Sequence, residues 1–264
     1  MSRTQAFVSV LPDALKRCFK RTLMRTGYQL MNIRKIYDFD GLLTVHNASF
    51  REDPRFQAAY KRGLQATWGV NPRTEWRIHV GLWAASMASR APGDFVECGV
   101  NAGFLSSAIL NYLDWNNLDR KFYLVDTFEG PVLTQFSKEE IDSGRLAVAQ
   151  QALSEEAYVT DLERVRRNYS EWHRIEIVKG SVPEVLPAVD TRGIAFLHLD
   201  MNCANPEAAA LRHFWPHVAS GGIVLFDDYA YFGYEAQGIA LGEIAAALGA
   251  EILVLPTGQG LIVK

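Results

Sequence analysis

Four apolar runs in this chain, residues 95–96, 122–125, 194–199 and 223–226, each stop on an acid: Glu97, Asp126, Asp200 and Asp227. Short apolar runs alternating with helix-forming segments predict a parallel α/β sheet. The carboxyl ends of its strands share one edge, and open α/β folds bind their ligands there. The chemistry is therefore expected along one acidic rim.

The 264 residues suffice for one large α/β domain with a well-buried core. With 48% apolar and 22% charged residues, the composition matches an ordinary globular protein and excludes disorder, collagen and coiled coil. Cys18, Cys98 and Cys203 lack the spacing of a zinc site or a disulfide framework. No apolar stretch approaches the roughly 20 residues of a membrane span, and the start shows no apolar leader pattern. The expectation is an untargeted protein of the reducing cytoplasm.

Residues 1–35 hold eight bases against one acid, a net +7, so the remainder carries −10 of the overall −3. Leu11, Leu15, Phe19 and Leu23 recur at helical spacing among these bases. An amphipathic helix of this kind suits an anionic membrane surface. It equally suits docking on the acidic remainder of the chain or on a neighbouring subunit of a homo-oligomer. The acidic bulk gives no reason to expect a nucleic-acid partner.

Residues 54–68 and 73–90 show helical apolar spacing before Pro92 and Gly93 punctuate the chain. Residues 1–92 are read as a helical extension with a substrate, oligomer or lid role, and residues 93–264 as the main domain. In the latter, strands are predicted at 95–98, 122–126, 174–178, 194–200, 222–227, 250–255 and 260–263, with helices after the first, fourth and fifth. Residues 136–168 interrupt the alternation as a lid, a crossover helix, or both. The turn Pro256-Thr257-Gly258-Gln259-Gly260 makes the last two strands an antiparallel hairpin.

The loop Glu97-Cys98-Gly99-Val100-Asn101-Ala102-Gly103-Phe104 links a strand to a helix. Gly99 and Gly103 let the backbone turn tightly and a ligand come close. A dinucleotide fingerprint would read G-x-G-x-x-G; this spacing departs from it and places a carboxylate two residues ahead. Such an acid suits an ammonium group better than a pyrophosphate. Asp126 closes the next strand, where a carboxylate can accept from both hydroxyls of a ribose, and Phe128 can lie against an adenine. Alternatively Asp126 caps a turn and Phe128 belongs to the core. A ribose with an amino-acid tail points to S-adenosylmethionine.

Through "GDFVECGVNAGF", "FYLVDTFEG", "FLHLDMN" and "GGIVLFDDY" the chain resembles the class I S-adenosylmethionine-dependent methyltransferases of the macrocin O-methyltransferase family. The resemblance implies a Rossmann-like fold whose seven-stranded, mostly parallel sheet ends in an antiparallel hairpin and carries extra N-terminal helices. It implies that Glu97, Gly99, Asn101 and Gly103 hold the methionine portion, that Asp126 holds the ribose and that Ser181 lies near the adenine; Thr127 and Phe128 complete the expected cofactor-binding residues. The implied reaction is metal-assisted O-methylation of a sugar or glycosylated natural product.

Asp200, Asp227 and Asp228 should converge beside the sulfonium. Carboxylates that close repel one another unless a cation sits among them, and a hard divalent ion such as Mg²⁺ would answer that need. The alternative is that Asp227 or Asp228 caps a turn. A metal held by Asp200, Asp227 and Asp228 would bind the acceptor oxygen, lower its pKa and orient it toward the methyl, and Asp228 or His198 would receive its proton; His198 is otherwise a packing residue. Two positions depart from the family pattern, with Asn202 in place of a second acid and Ala204 in place of an aromatic. Asn202 can ligate only through its amide oxygen. His213 and His217 are read as structural residues on the following helix. Tyr229, Tyr231, Phe232 and Tyr234 would stack on sugars or pack a subunit interface. Two readings from other classes remain: a non-catalytic S-adenosylmethionine-binding scaffold, and an NAD-dependent oxidoreductase acting on a sugar nucleotide.

Overall fold

The computed structural model describes residues 12–27, 36–67 and 69–264. The chain divides into two compact units, residues 1–38 with 43–47, and residues 39–42 with 48–264. In the first unit, helix α1 (Asp13–Arg25) leaves Leu15, Phe19 and Met24 exposed. Arg3, Leu11, Arg34 and Lys35 of the basic segment lie outside the described residues. A two-stranded ribbon is formed by β1 (Tyr37–Phe39) and β2 (Leu42–Thr44).

The second unit is built on seven strands: β3 (Asp94–Cys98), β4 (Phe122–Asp126), β5 (Ile175–Lys179), β6 (Ile194–Leu199), β7 (Val218–Phe226), β8 (Leu253–Val254) and β9 (Gly260–Val263). Their order is β5-β4-β3-β6-β7-β9-β8, parallel throughout except for β9, which runs antiparallel to both β7 and β8. The expected Rossmann-like sheet and closing hairpin are both present. β6 is buried at every position, the mark of a central strand covered on both faces.

Alternate side chains of each strand enter opposite cores. Phe95, Phe122, Leu124, Phe196 and Leu225 pack with α2 (Pro54–Ala66), α3 (Glu75–Ala88) and α4 (Phe104–Tyr112). Val96, Val125, Leu197, Val224 and Phe226 pack with α8 (Ala204–Phe214) and α9 (Glu235–Ala247). Phe56, Tyr60, Ile78 and Leu82 share the first of these cores. The helices α2 and α3, which precede residue 92, thus lie in the same compact unit as the sheet.

Residues 136–168 fold into three short helices, α5 (Lys138–Asp142), α6 (Arg145–Ser154) and α7 (Leu162–Asn168). β7 begins at Val218, earlier than expected, because residues around Gly221 and Gly222 continue the strand through an irregular register against β6. β8 keeps only two residues of the expected run 250–255. His217 lies in a short turn after α8, so only His213 is on that helix, and both are exposed.

Candidate active site

The strand order reverses between β3 and β6, and the loops leaving these strands build the site. A Cβ placed on Gly99 would lie 1.8 Å from the Asp200 carbonyl oxygen, and its φ is +89°. Only glycine fits such a left-handed close approach. Gly103, at φ +84°, faces the Tyr169 hydroxyl in the same way and lets α4 start where it does. Both glycines thus let the loop pack tightly, Gly99 against the Asp200 backbone and Gly103 against the Tyr169 ring.

Asp126 ties the rim together. Its Oδ2 accepts from the Val100 and Asn101 amides at 2.6 and 2.9 Å, and its Oδ1 from the Phe128 amide at 2.7 Å. Its Oδ1 also lies 3.4 Å from the Thr127 hydroxyl, whose shorter bond goes to the Gly130 carbonyl at 2.7 Å, so a ligand hydroxyl at Asp126 displaces only that long contact. Asn101 accepts from the Val159 amide at 2.9 Å, which fastens the first loop to the insertion.

A cleft of about 700 Å³, including its open mouth, is lined by Gly99, Asn101, Asp126, Thr127, Ser181 and Asp200. Tyr158 of the insertion and Gln135 just before it also line this cleft, and Gln135 donates to the Ser181 hydroxyl at 3.0 Å. Both residues were missed in the sequence, where neither stands in a motif. Phe128 is 1% exposed and packed in the core at φ +50°, so no face of its ring is open to an adenine. That expected contact is corrected.

A second cleft is lined by Asp40, Arg77, Glu97, His198, Asp200 and Asp227, and shares Gly99, Asn101 and Asp200 with the first. Glu97 and His198 lie opposite each other on β3 and β6, with His198 Nδ1 3.0 Å from Glu97 Oε1. The other Glu97 oxygen is buried and has no partner among the described residues. On its far side His198 Nε2 stands 3.8 Å from Asp227. Burial opposes a charge on the ring, but Asp227 and Glu97 outweigh it and raise the pKa to about 10. An imidazolium already carries its proton, so the acceptor role expected for His198 does not fit this arrangement.

The carboxylates do converge, and a cation does sit among them, but it is a guanidinium. Arg77 Nη1 is 2.5 Å from Asp227 Oδ2 and 2.9 Å from Asp228 Oδ1, while its Nε is 3.0 Å from Asp40 Oδ2. The other Asp227 oxygen accepts from Gln259 at 2.9 Å. Asn202 donates to Asp200 Oδ1 at 3.0 Å, and the Asn202 amide oxygen accepts from the Tyr234 hydroxyl at 2.7 Å. No group of His, Cys, Asp and Glu side chains fit to hold a metal ion occurs among the described residues. In this arrangement Asp227 and Asp228 close on the Arg77 guanidinium, and Asp200 is held by Asn202.

Burial, the Asp227 charge and the Asp228 charge push the Asp200 carboxyl well above its usual range. Burial opposes ionisation of Asp227, but Arg77 overcomes it and holds the pKa well below that range. Burial and the Asp227 charge raise Asp228 to about 6. Arg77 was missed although its signal was present, because it is a base on the same face of α3 as the buried Gly81, Ala84 and Ala88.

The sheet order, the glycine-built loop and the acidic rim define a class I methyltransferase fold. The macrocin-O-methyltransferase family model matches residues 81–240, and the chain belongs to that family. It is 27% identical over 155 residues to 8-demethyl-8-(2,3-dimethoxy-alpha-L-rhamnosyl)-tetracenomycin-C 4'-O-methyltransferase of Streptomyces olivaceus, covering 54% of this chain and 56% of that protein. Against mycinamicin III 3''-O-methyltransferase of Micromonospora griseorubida it is 25% identical over 153 residues, covering 55% and 58%. The chain thus matches just over half the length of these curated relatives. Among solved structures it is similar to the O-methyltransferase NovP, with a TM-score of 0.64 at 19% identity over 83% of this chain and 99% of that one. It is also similar to the calicheamicin methyltransferase CalS11, with a TM-score of 0.57 at 18% identity over 89% and 98%. These last two likenesses concern the fold.

Proposed function

We propose that the protein is an S-adenosylmethionine-dependent O-methyltransferase acting on a hydroxyl of a sugar, carried by a glycosylated natural product or glycan. The observation that carries this reading is the meeting of two clefts at Gly99, Asn101 and Asp200. A donor in the first cleft then faces an acceptor in the second. The curated relatives are named for a rhamnosyl-tetracenomycin and for mycinamicin III, and the proposal extends that kind of glycosylated acceptor to this chain.

The residues fit the cofactor. Glu97, whose second oxygen has no described partner, borders the junction from the second cleft and can accept from the ammonium; Gly99 and Asn101 line both clefts, and Asp126 lines the first, where a ribose hydroxyl would replace the long Thr127 contact. Thr127 and Ser181 line the same cleft. When bound, the sulfonium supplies an electrophilic methyl group. In the reaction the acceptor oxygen forms a bond to the methyl carbon and the carbon–sulfur bond breaks with its electron pair passing to sulfur. The hydroxyl proton passes to Asp228, whose Oδ2 receives no hydrogen bond from any described residue. Asp200 at the junction orients the hydroxyl, and positioning supplies much of the rate. No step is assigned to Mg²⁺.

Transfer of labelled methyl from S-adenosylmethionine to a panel of rhamnosylated natural products and other glycosides tests this directly. Stabilisation by S-adenosylhomocysteine with no turnover on any glycoside would favour a binding scaffold, and stabilisation by NAD instead would favour an oxidoreductase. A cytoplasmic setting agrees with three free cysteines, and no described helix is long and apolar enough to cross a membrane. Exposed Leu15, Phe19 and Met24 beside Arg17, Lys20 and Arg21 support a weak anionic-surface contact through α1. The exposed Leu253, Val254 and Val263 at the sheet's edge support self-association.

A further inference from the structure

We propose that Arg77 is the resident cation of the acceptor site, so that this enzyme works without a divalent metal at Asp200, Asp227 and Asp228. The inference rests on the methyltransferase reading for its meaning, but on side-chain geometry for its content. A divalent ion needs carboxylate oxygens at roughly 2.0–2.6 Å with open lone pairs. One guanidinium nitrogen already lies within hydrogen-bond reach of both Asp227 Oδ2 and Asp228 Oδ1. An ion bridging those two oxygens would have to occupy the same space.

Three of the other candidate ligand oxygens are engaged as well, while Asp200 Oδ2 and Asp228 Oδ2 accept from no described residue. Gln259 takes the second Asp227 oxygen, Asn202 takes one Asp200 oxygen, and Tyr234 takes the Asn202 amide oxygen. Arg77 cannot easily swing away, because Asp40 holds its opposite edge and the Tyr231 ring lies 4.7 Å from its guanidinium carbon. A planar guanidinium with several fixed donors keeps three carboxylates in one geometry, which a flexible ammonium would not. It stabilises Asp227 and Asp228 as carboxylates and leaves the acceptor hydroxyl to be oriented by Asp200 and deprotonated by Asp228. Arg77 is thus a positioning residue. It touches neither the methyl carbon nor the sulfur, and the atom balance of the transfer is unchanged: methyl to oxygen, electron pair to sulfur, proton to carboxylate.

Electron paramagnetic resonance of Mn²⁺ titrated into the chelator-treated full-length protein reads the site without any acceptor. The expected result is no Mn²⁺ lost on Asp227→Asn substitution at concentrations up to about 1 mM, the weak end of protein divalent sites. Arg77→Ala, folded by circular dichroism, should acquire one bound Mn²⁺. Binding of Mn²⁺ to the wild type that Asp227→Asn abolishes would overturn the proposal, and so would a folded Arg77→Ala protein that binds none. Should Arg77→Ala fail to fold, the wild-type titration decides alone. Failure of S-adenosylhomocysteine to stabilise the wild type would sink the methyltransferase reading separately, since it leaves the metal measurement unaffected.

Discussion

His198 and Glu97 meet across neighbouring central strands, with Nδ1 3.0 Å from Oε1 in a fully buried pair. With Asp227 on the other side, the imidazolium separates two buried carboxylates. Replacing His198 by Gln removes that charge and should cost about 3–5 kcal/mol in urea denaturation, the usual cost of stranding a buried charge. Because the folded pKa is raised to about 10, the contribution is complete below the unfolded value near 6.5 and is lost as pH rises through about 10. A loss under about 1 kcal/mol in the variant would mean that the ring is neutral.

Gly99→Ala should abolish measurable S-adenosylhomocysteine binding. The added methyl meets the Asp200 carbonyl and demands a strained positive φ, so the loop must move away from the ligand. Calorimetry reads the affinity and thermal melting reads the fold. Unchanged affinity would mean that the ligand does not approach this backbone.

Much of the frame was legible before any coordinates. The strand runs ending on Glu97, Asp126, Asp200 and Asp227 placed the acidic rim correctly, because buried parallel strands need continuous apolar sequence and their ends are marked by the change to polar residues. The spacing of Gly99 and Gly103 located the loop by its backbone requirement. Arg77 is legible as a base on the buried face of α3, but its partner is not, since Asp227 lies 150 positions away and only the packing of α3 brings them together. Phe128 was misread because a motif position gives no side-chain direction, and its positive φ turns the ring into the core. Glu140 was also invisible as a site element, yet it is buried and accepts the Ala204 amide at the start of α8.

Glu207 should make the fold less stable as pH rises. It is fully buried, accepts from the Met201 amide at 2.8 Å, lies 2.7 Å from the Gln237 amide group, and burial raises its pKa from 4.5 to about 8. The Gln237 amide oxygen has no described partner, and an amide flip would let a protonated Glu207 donate to it. A raised carboxyl pKa contributes stability that is complete below about 4.5 and lost as pH climbs through about 8. Melting temperatures should fall across that window in the wild type and stay flatter in Glu207→Gln. Parallel curves would contradict this.

The rate of methyl transfer should follow Asp228. With its pKa raised to about 6, kcat/KM should decline about tenfold per pH unit below that value as the acceptor carboxylate is protonated. Asp228→Asn should lower kcat by about 10²–10⁴-fold with little change in S-adenosylhomocysteine affinity. A flat profile from pH 5 to 8 would assign the proton to another group.

Isothermal calorimetry with S-adenosylhomocysteine is the most direct check on the central claim, that a sulfonium nucleoside occupies the cleft bounded by Gly99, Asp126 and Ser181. The expected result is one site per chain in the wild type, with affinity reduced at least tenfold in Asp126→Asn, whose amide donors would face the Phe128 amide. No heat with the wild type, or equal affinity in the two proteins, would contradict it.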